Sequence, residues 1–347
     1  MLMSGARMFD PAQLIAGAFS LPAVSFFVAL VLAAGIGLYT SRASAAARPL
    51  TAEPRSVRAR YAPERRAIGW AAAGVLVFFF VDYVIRGYIL TGADRLHWWR
   101  FTTPIACAII GLGIVLAFIV TRGTTPAEVP VISAERRSWV SFSSRFALIS
   151  LGLTALILVV TTVAAGLASS PNGQGQYVWL VIPIPNESTI DPIRLPFYGW
   201  TYGLPVLTSL GALLAVAWSA FDRNAARPYL HTETLIAERA ARRETARNVT
   251  RVTTAAVLLT LAGAWRFIAN SGSVSHLTVT GQNGDNPYDA AWRYAELAVA
   301  AGWCAPILEI TGFVLLLLVA GSGLRRRPAT RQPSAPTETP ATLEATR

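Results

Sequence analysis

Two oppositely charged residues interrupt one of the apolar runs of the chain. Asp82 and Arg86 lie near the end of the run 67–90, and their four-residue spacing places them on one face of a helix. A charged side chain at the centre of a bilayer costs about 2.5–3.5 kcal/mol, so such residues usually pair, line a cavity or contact a ligand. The pattern therefore predicts an intrahelical ion pair or part of a binding site.

Further charged residues are expected at the same depth. With a rise of about 1.5 Å per residue, Arg266 of the sixth run and Glu296 of the seventh fall near the outer surface, and Arg100 precedes the third run. Because guanidinium groups suit carboxylates and phosphates, we predict an outward-facing site for an anionic or zwitterionic ligand. Its predicted members are Asp82, Arg86, Arg266, Glu296 and Arg100. Its predicted rim comprises Asp94, Arg95, His97, Trp98 and Trp99.

The same charges also fit a purely structural interpretation. Asp82 would then pair with Arg86 inside one helix, and Arg266 would pair with Glu296 or Asp82. The second run contains about a dozen large aliphatic and aromatic residues. Their favourable insertion free energy is enough to offset the cost of placing both charges in the bilayer. The sequence leaves the two interpretations open.

Glu309 is a separate candidate. It lies about 22 Å inward from the outer end of the seventh run, where we expect no basic residue at the same depth. Pro306, one turn earlier, cannot donate to the carbonyl of Gly302 and predicts a kink. A carboxyl group in this position is typical of a proton-titrating site in a transporter, and also of a neutral acid that bonds to a neighbouring helix.

The elements that position these residues are membrane spans. The chain is 53% hydrophobic and 14% charged, whereas soluble domains carry about 25% charged residues. About 20 apolar residues in a helix cross the bilayer, and seven runs qualify. They are 14–40, 67–90, 101–121, 146–169, 199–220, 252–270 and 294–321. We therefore predict an all-α bundle of seven transmembrane helices over residues 1–324. The sixth run is the weakest of the seven, because it has few large aliphatic residues and contains an arginine.

The arginines predict the direction of the chain. Of the 30 basic residues, all arginine, 23 fall on one side of the seven runs and five on the other. By the positive-inside rule the N-terminus lies outside and the C-terminus in the cytoplasm. This pattern also explains the net charge of +11 better than nucleic-acid binding does. A cleaved signal peptide is the alternative for the first run, whose apolar stretch exceeds the usual core of about 7–15 residues.

The loops carry three further predictions. Tyr177–Ile182 and Ser273–Thr280 are short β-prone segments, and we expect them to pair as a small lid over the outer face. The stretch 231–248 predicts a helix that extends the sixth span into the cytoplasm, either as a solvated basic helix or as a surface for anionic lipid or a partner. Segment 41–66 is predicted to be irregular, and the tail 325–347 disordered.

The sequence does not contain an assembled set of catalytic groups. It has no zinc-protease, serine-hydrolase or phosphate-loop motif, no lysine for a retinal Schiff base, and no histidine within a span for haem, so we predict no metal and no cofactor. The favoured function is a non-enzymatic receptor, carrier or complex subunit in the cell membrane of a bacterium, with the bilayer and a ligand or membrane protein as partners. A membrane enzyme acting on lipid or cell-envelope material, and a purely structural subunit, are the alternatives.

Overall fold

The structure is a bundle of seven long helices. The computed structural model describes residues 17–19, 21–46, 54–86, 97–123, 139–184, 191–229, 232–277 and 287–324. In these residues, seven helices are long and apolar enough to cross a membrane. They are α1 (Pro22–Ala46), α2 (Arg55–Val84), α3 (Thr103–Gly123), α4 (Arg145–Ala168), α5 (Trp200–Ala226), α6 (Leu235–Gly272) and α7 (Ala295–Leu324). Each of the seven predicted runs is thus confirmed as a helix of this kind.

Short strands mark one end of the bundle, which we call the strand end. Between α4 and α5, β1 (Ser170–Pro171), β2 (Tyr177–Ile182) and β3 (Ile193–Pro196) form an antiparallel sheet, with Trp179 opposite Pro196. Between α6 and α7, β4 (His276–Leu277) pairs with β5 (Tyr288–Asp289). Phe197 and Trp292, whose ring centroids lie 5.5 Å apart, join the two connections.

The helix α6 is the centre of the bundle. About 72% of its most apolar stretch is buried inside the protein, whereas no other span exceeds 33%. This burial explains why α6 has the lowest mean hydropathy of the seven spans. A helix surrounded by other helices needs small residues for close packing rather than large aliphatic side chains for contact with lipid.

Small residues bring neighbouring helices into close contact. A Cβ atom added at Gly111 of α3 would lie 2.5 Å from the Cβ of Ala71 on α2. A Cβ atom at Gly203 of α5 would lie 2.7 Å from Cγ2 of Thr162 on α4. Gly199, four residues earlier, precedes the helix and packs against the carbonyl of Tyr177.

A group of phenylalanine rings packs α1, α2 and α7 together. Phe26 lies 4.9 Å from Phe80 and 5.5 Å from Phe313 between ring centroids, in edge-to-face geometry. Phe80 stacks on Phe313 at 5.7 Å. Aromatic pairs of this kind contribute about 0.5–1.5 kcal/mol each beyond their buried area.

Some predictions about the connections are wrong or only partly confirmed, and others fall outside the described residues. Segment 41–66 is not irregular throughout, because α1 continues to Ala46 and α2 begins at Arg55. The predicted strand Tyr177–Ile182 is confirmed, but among the described residues no strand of its sheet pairs with the β4–β5 sheet. The lid over the outer face stays a prediction, as do the domain limits. The tail 325–347, the rim residues Asp94 and Arg95, and the end of the second predicted run at 87–90 lie outside the described residues.

The contact at Gly111 yields a test of the packing between α2 and α3. Gly111→Val should lower the thermal stability of the protein in detergent by about 1–3 kcal/mol, because the added side chain overlaps Ala71. Gly113→Val on the same helix is the matched control, since a Cβ atom there meets nothing within 4 Å. Equal unfolding midpoints for the two variants would contradict the close approach of these helices.

Candidate functional site

Three of the predicted site residues gather at the strand end. At the end of α2, a turn with π-helical hydrogen bonding extends through Arg86, whose Nη2 donates to Asp82 Oδ2. This contact confirms the predicted intrahelical ion pair. Arg100 is close enough to both side chains for electrostatic interaction with them, and it lies on the short 3₁₀ helix Trp98–Phe101.

Aromatic side chains hold Arg100 in place. Its guanidinium group lies 4.6 Å from the ring centroid of Phe267 on α6 and 5.3 Å from that of Phe101. Phe101 is buried, and its ring centroid lies 5.0 Å from that of Tyr198 and 5.4 Å from that of Tyr202. A buried aromatic support of this kind fixes the position of the cation and makes a cation–π contact with it.

The electrostatic surroundings of Arg100 are unfavourable to its charge. Burial, and secondarily the nearby Arg86, lower the pKa of Arg100, and only Tyr202 and Asp82 oppose this shift. An arginine still keeps its proton at neutral pH. In the described part of the chain, no carboxylate lies within ion-pair distance of Arg100. The Nε–H of Arg86 is likewise buried and, within the same residues, has no hydrogen-bond acceptor. Two guanidinium groups therefore face a single carboxylate.

The hydroxyl group of the supporting Tyr198 is neutral. Burial raises the pKa of Tyr198 to about 12, although a 3.3 Å hydrogen bond with Thr162 acts in the opposite direction. The aromatic support beneath Arg100 consequently contributes no negative charge at neutral pH.

Arg266 and Glu309 form a second pair, between α6 and α7. Arg266 Nε and Nη2 donate to the two carboxylate oxygens of Glu309, each at 2.6 Å. The carboxylate is almost fully enclosed, with 3% of the side chain exposed, whereas 18% of Arg266 is exposed. Two parallel hydrogen bonds between a guanidinium and a carboxylate are the strongest geometry for such a pair.

This pair overturns two expectations. The expectation that Glu309 has no basic residue at its depth is wrong, because the guanidinium group of Arg266 on the neighbouring helix α6 reaches both of its carboxylate oxygens. The structural alternative for Arg266, a pair with Glu296 or Asp82, is wrong for the same reason. Pro306 lies inside the continuous helix α7, one turn before Glu309. Protonation of Glu309 stays a prediction.

Glu296 takes part in neither pair. It is exposed on the first turn of α7, and in the residues that the structure describes no ion pair joins it to another side chain. Trp98 and Trp99 are exposed beside Arg100, and His97 lies against Trp99 with ring centroids 5.1 Å apart. The predicted site is therefore brought together only in part, as Asp82, Arg86 and Arg100.

The opposite end of the bundle contains buried charges that sequence reasoning missed. We call it the ion-pair end. Arg227, just after α5, donates to both oxygens of Glu64 on α2, at 3.0 and 2.8 Å, and to the carbonyl of Ile119 on α3 at 2.9 Å. Both charged side chains are at most 2% exposed. This arrangement joins α2, α3 and the end of α5.

A second buried group joins α6 to the same place. Arg242 has no exposed side-chain surface; it lies 3.7 Å from Glu238, donates to the carbonyl of Pro228 at 3.0 Å and covers the ring of Tyr229 at 4.1 Å. Arg60 of α2 also lies 3.6 Å from Glu238. The stretch 231–248 is confirmed as an extension of the sixth span from Leu235 onward. Its interpretation as a solvated helix is wrong for the face that carries Glu238 and Arg242, which is buried, whereas Arg243 and Arg247 are exposed.

A signal for this end was present in the sequence. Val57, Tyr61, Glu64 and Ile68 repeat at intervals of three and four residues and form one buried face of α2. The same interval on α6 connects Glu238 and Arg242 to apolar positions further along the helix. A charged residue that lies on the apolar face of a helix is a candidate for a buried ion pair. When the arginines of these segments are interpreted only as indicators of membrane orientation, these pairs are not identified.

Comparison of the chain with known protein families, with curated proteins and with solved structures finds no match. Within the described ranges, no group of three or more His, Cys, Asp or Glu residues is arranged to hold a metal ion. The site is therefore characterised by its geometry alone.

The Arg266–Glu309 pair yields a stability test. Glu309→Gln should destabilise the protein by about 3–5 kcal/mol, because it leaves the guanidinium of Arg266 inside the bundle without its counter-charge. Unfolding in detergent measures the effect. The matched control is Glu296→Gln, which changes an exposed carboxylate of the same helix and should stay within about 0.5 kcal/mol.

A compensated variant completes this test. The double variant Arg266→Met, Glu309→Met removes both charges together and should recover most of the lost stability. If Glu309→Gln is no less stable than Glu296→Gln, the two residues are not an energetically coupled pair.

Proposed function

We propose that this multi-pass membrane protein binds an anionic group, a carboxylate or a phosphate, at the strand end through Arg100 and Arg86. The observation that carries this proposal is the charge imbalance among the described residues there. Two guanidinium groups, one of them fixed on aromatic rings, face the single carboxylate of Asp82. An anion that accepts hydrogen bonds from Arg100 relieves its unfavourable surroundings. Asp82 orients Arg86 and is not itself a ligand contact.

The role is that of a non-enzymatic receptor, carrier or complex subunit. Arg100, Arg86 and the exposed Trp98 and Trp99 offer hydrogen-bond donors and aromatic surface, which suit recognition of a charged group. A structural subunit is the second candidate, favoured by the pairing of Asp82 with Arg86 and of Arg266 with Glu309. In that case the strand end binds no anion.

We further propose that the strand end lies outside the cell and the ion-pair end in the cytoplasm, in the cell membrane of a bacterium. The distribution of the arginines supports this orientation, because 23 of them fall in segments on the cytoplasmic side so assigned. The anion site would then receive its ligand from the external medium.

Binding can be measured with simple anions. The full chain in phosphatidylcholine nanodiscs is titrated with inorganic phosphate and with acetate at constant ionic strength, and tryptophan fluorescence, to which Trp98 and Trp99 contribute, is recorded. Arg100→Gln should weaken binding by about tenfold or more, since a hydrogen bond to a charged group contributes about 1.5–3 kcal/mol. Arg145→Gln, an exposed arginine at the start of α4, is the control and should bind as the wild type does.

Two results would contradict the proposed anion site. The first is equal affinity of the wild type and Arg100→Gln for both anions. The second is an absence of any saturable signal in the wild type, which would favour the structural subunit.

The orientation is tested by cysteine labelling. In a background in which Cys107 and Cys304 are replaced by alanine, Gly173→Cys and Ala240→Cys place one exposed thiol at each end of the bundle. A membrane-impermeant maleimide should label position 173 in intact cells and position 240 only after permeabilisation. The reverse pattern would invert the proposed orientation.

A further inference from the structure

A groove runs along the outside of the bundle between α2 and α3. Its volume is about 640 Å³, and it extends from Pro63 to Phe78 on α2 and from Arg122 to Cys107 on α3. The close contact of Gly111 with Ala71 forms part of its floor. Gly74 on α2 adds open space, because a Cβ atom there would meet nothing within 4 Å. The walls are mostly apolar side chains, among them Trp70 and Ile114.

The length of the groove corresponds to one leaflet of a bilayer. The fifteen-residue interval from Pro63 to Phe78 corresponds to about 22 Å of helix at 1.5 Å per residue. One leaflet, counted with its headgroup region, is about 20–22 Å thick. An apolar groove of this length that faces lipid matches a single acyl chain lying parallel to the helices.

Charge is confined to one end of the groove. Arg66 and Arg122 line it at the ion-pair end, and the other described residues that line it are uncharged. Both arginines are exposed, and the guanidinium of Arg122 lies 5.7 Å from the ring centroid of Phe118, which is itself part of the wall. Two cations at the level of the lipid headgroups, above an apolar channel, are complementary to a phosphate that carries an acyl chain.

We propose that this groove binds one anionic phospholipid from the leaflet at the ion-pair end. Arg66 and Arg122 contact the headgroup phosphate, and one acyl chain lies along the floor past Gly74. A second copy of the chain is a poor occupant, because a two-fold contact through this groove brings the same two arginines of each copy together. The site shares no residue with the proposed anion site at the strand end, so each is tested independently.

Lipid binding to the delipidated full chain in detergent is measured by native mass spectrometry. The probes are phosphatidylglycerol and phosphatidylcholine with the same acyl chains. The wild type should prefer phosphatidylglycerol. Arg66→Gln and Arg122→Gln should each weaken phosphatidylglycerol binding by about fivefold, as expected for one arginine near a charged lipid surface. Phosphatidylcholine binding should weaken less, because the choline ammonium group already offsets the charge of its phosphate.

A second variant blocks the channel without disturbing the packing. Gly74→Phe places a ring in open space within the groove and should reduce binding of both lipids. Arg145→Gln and Gly152→Phe are the matched controls, because Arg145 is an exposed arginine and Gly152 an open, exposed glycine, both on α4. Neither control should change lipid binding.

Three outcomes would overturn the proposal. One is unchanged phosphatidylglycerol binding in Arg66→Gln, Arg122→Gln and Gly74→Phe. Another is displacement of the bound lipid by millimolar inorganic phosphate, which would make a free anion rather than a lipid the ligand. The third is a shift from dimer to monomer in Gly74→Phe with lipid binding intact, which would make a second copy the occupant.

Discussion

The bidentate contact between Arg227 and Glu64 constrains the arrangement of the bundle. It joins the beginning of α2 to the end of α5, and the additional hydrogen bond to the carbonyl of Ile119 includes α3. A buried ion pair adds little net stability, because desolvation offsets most of the attraction, whereas loss of one partner leaves a costly uncompensated charge. The pair therefore restricts α2, α3 and α5 to one relative position, in which both charges are compensated.

The central position of α6 follows from the same requirement. Its 38 residues correspond to about 57 Å, nearly twice the hydrocarbon thickness, so it reaches from the ion-pair end to the strand end. Arg242 near one end is surrounded by Tyr229, Pro228 and Glu238, and Arg266 near the other bonds to Glu309. Polar residues are tolerated on this helix because protein, rather than lipid, surrounds it.

Helix number and approximate limits could be predicted from the sequence because the signal is local. A run of about 20 apolar residues predicts a membrane-spanning helix without information from any other segment. The composition of Tyr177–Ile182 likewise predicts its strand. The partners of the charges could not be predicted in this way. Whether Arg266 pairs with Glu309, Glu296 or Asp82 depends on the rotation of separate helices and on their relative height in the membrane. A small error in either quantity changes the predicted partner. The contact between Asp82 and Arg86 is predictable, because both residues lie on one helix and their spacing fixes it.

The balance between guanidinium groups and carboxylates distinguishes the structural charges from the candidate binding residues. Arg227 and Arg266 each contact both oxygens of one carboxylate, so little of their charge is left for a ligand. Arg100 has aromatic rings beneath it and Arg86 beside it, and within the described residues it lacks a carboxylate of its own. Burying a charge in this state is unfavourable unless another anion compensates it. Arg86 and Arg266 on the described spans each contact a carboxylate, whereas Arg100 is held on aromatic rings with no carboxylate of its own among the described residues. Arg100 is therefore the position where an external anion gains the most binding free energy.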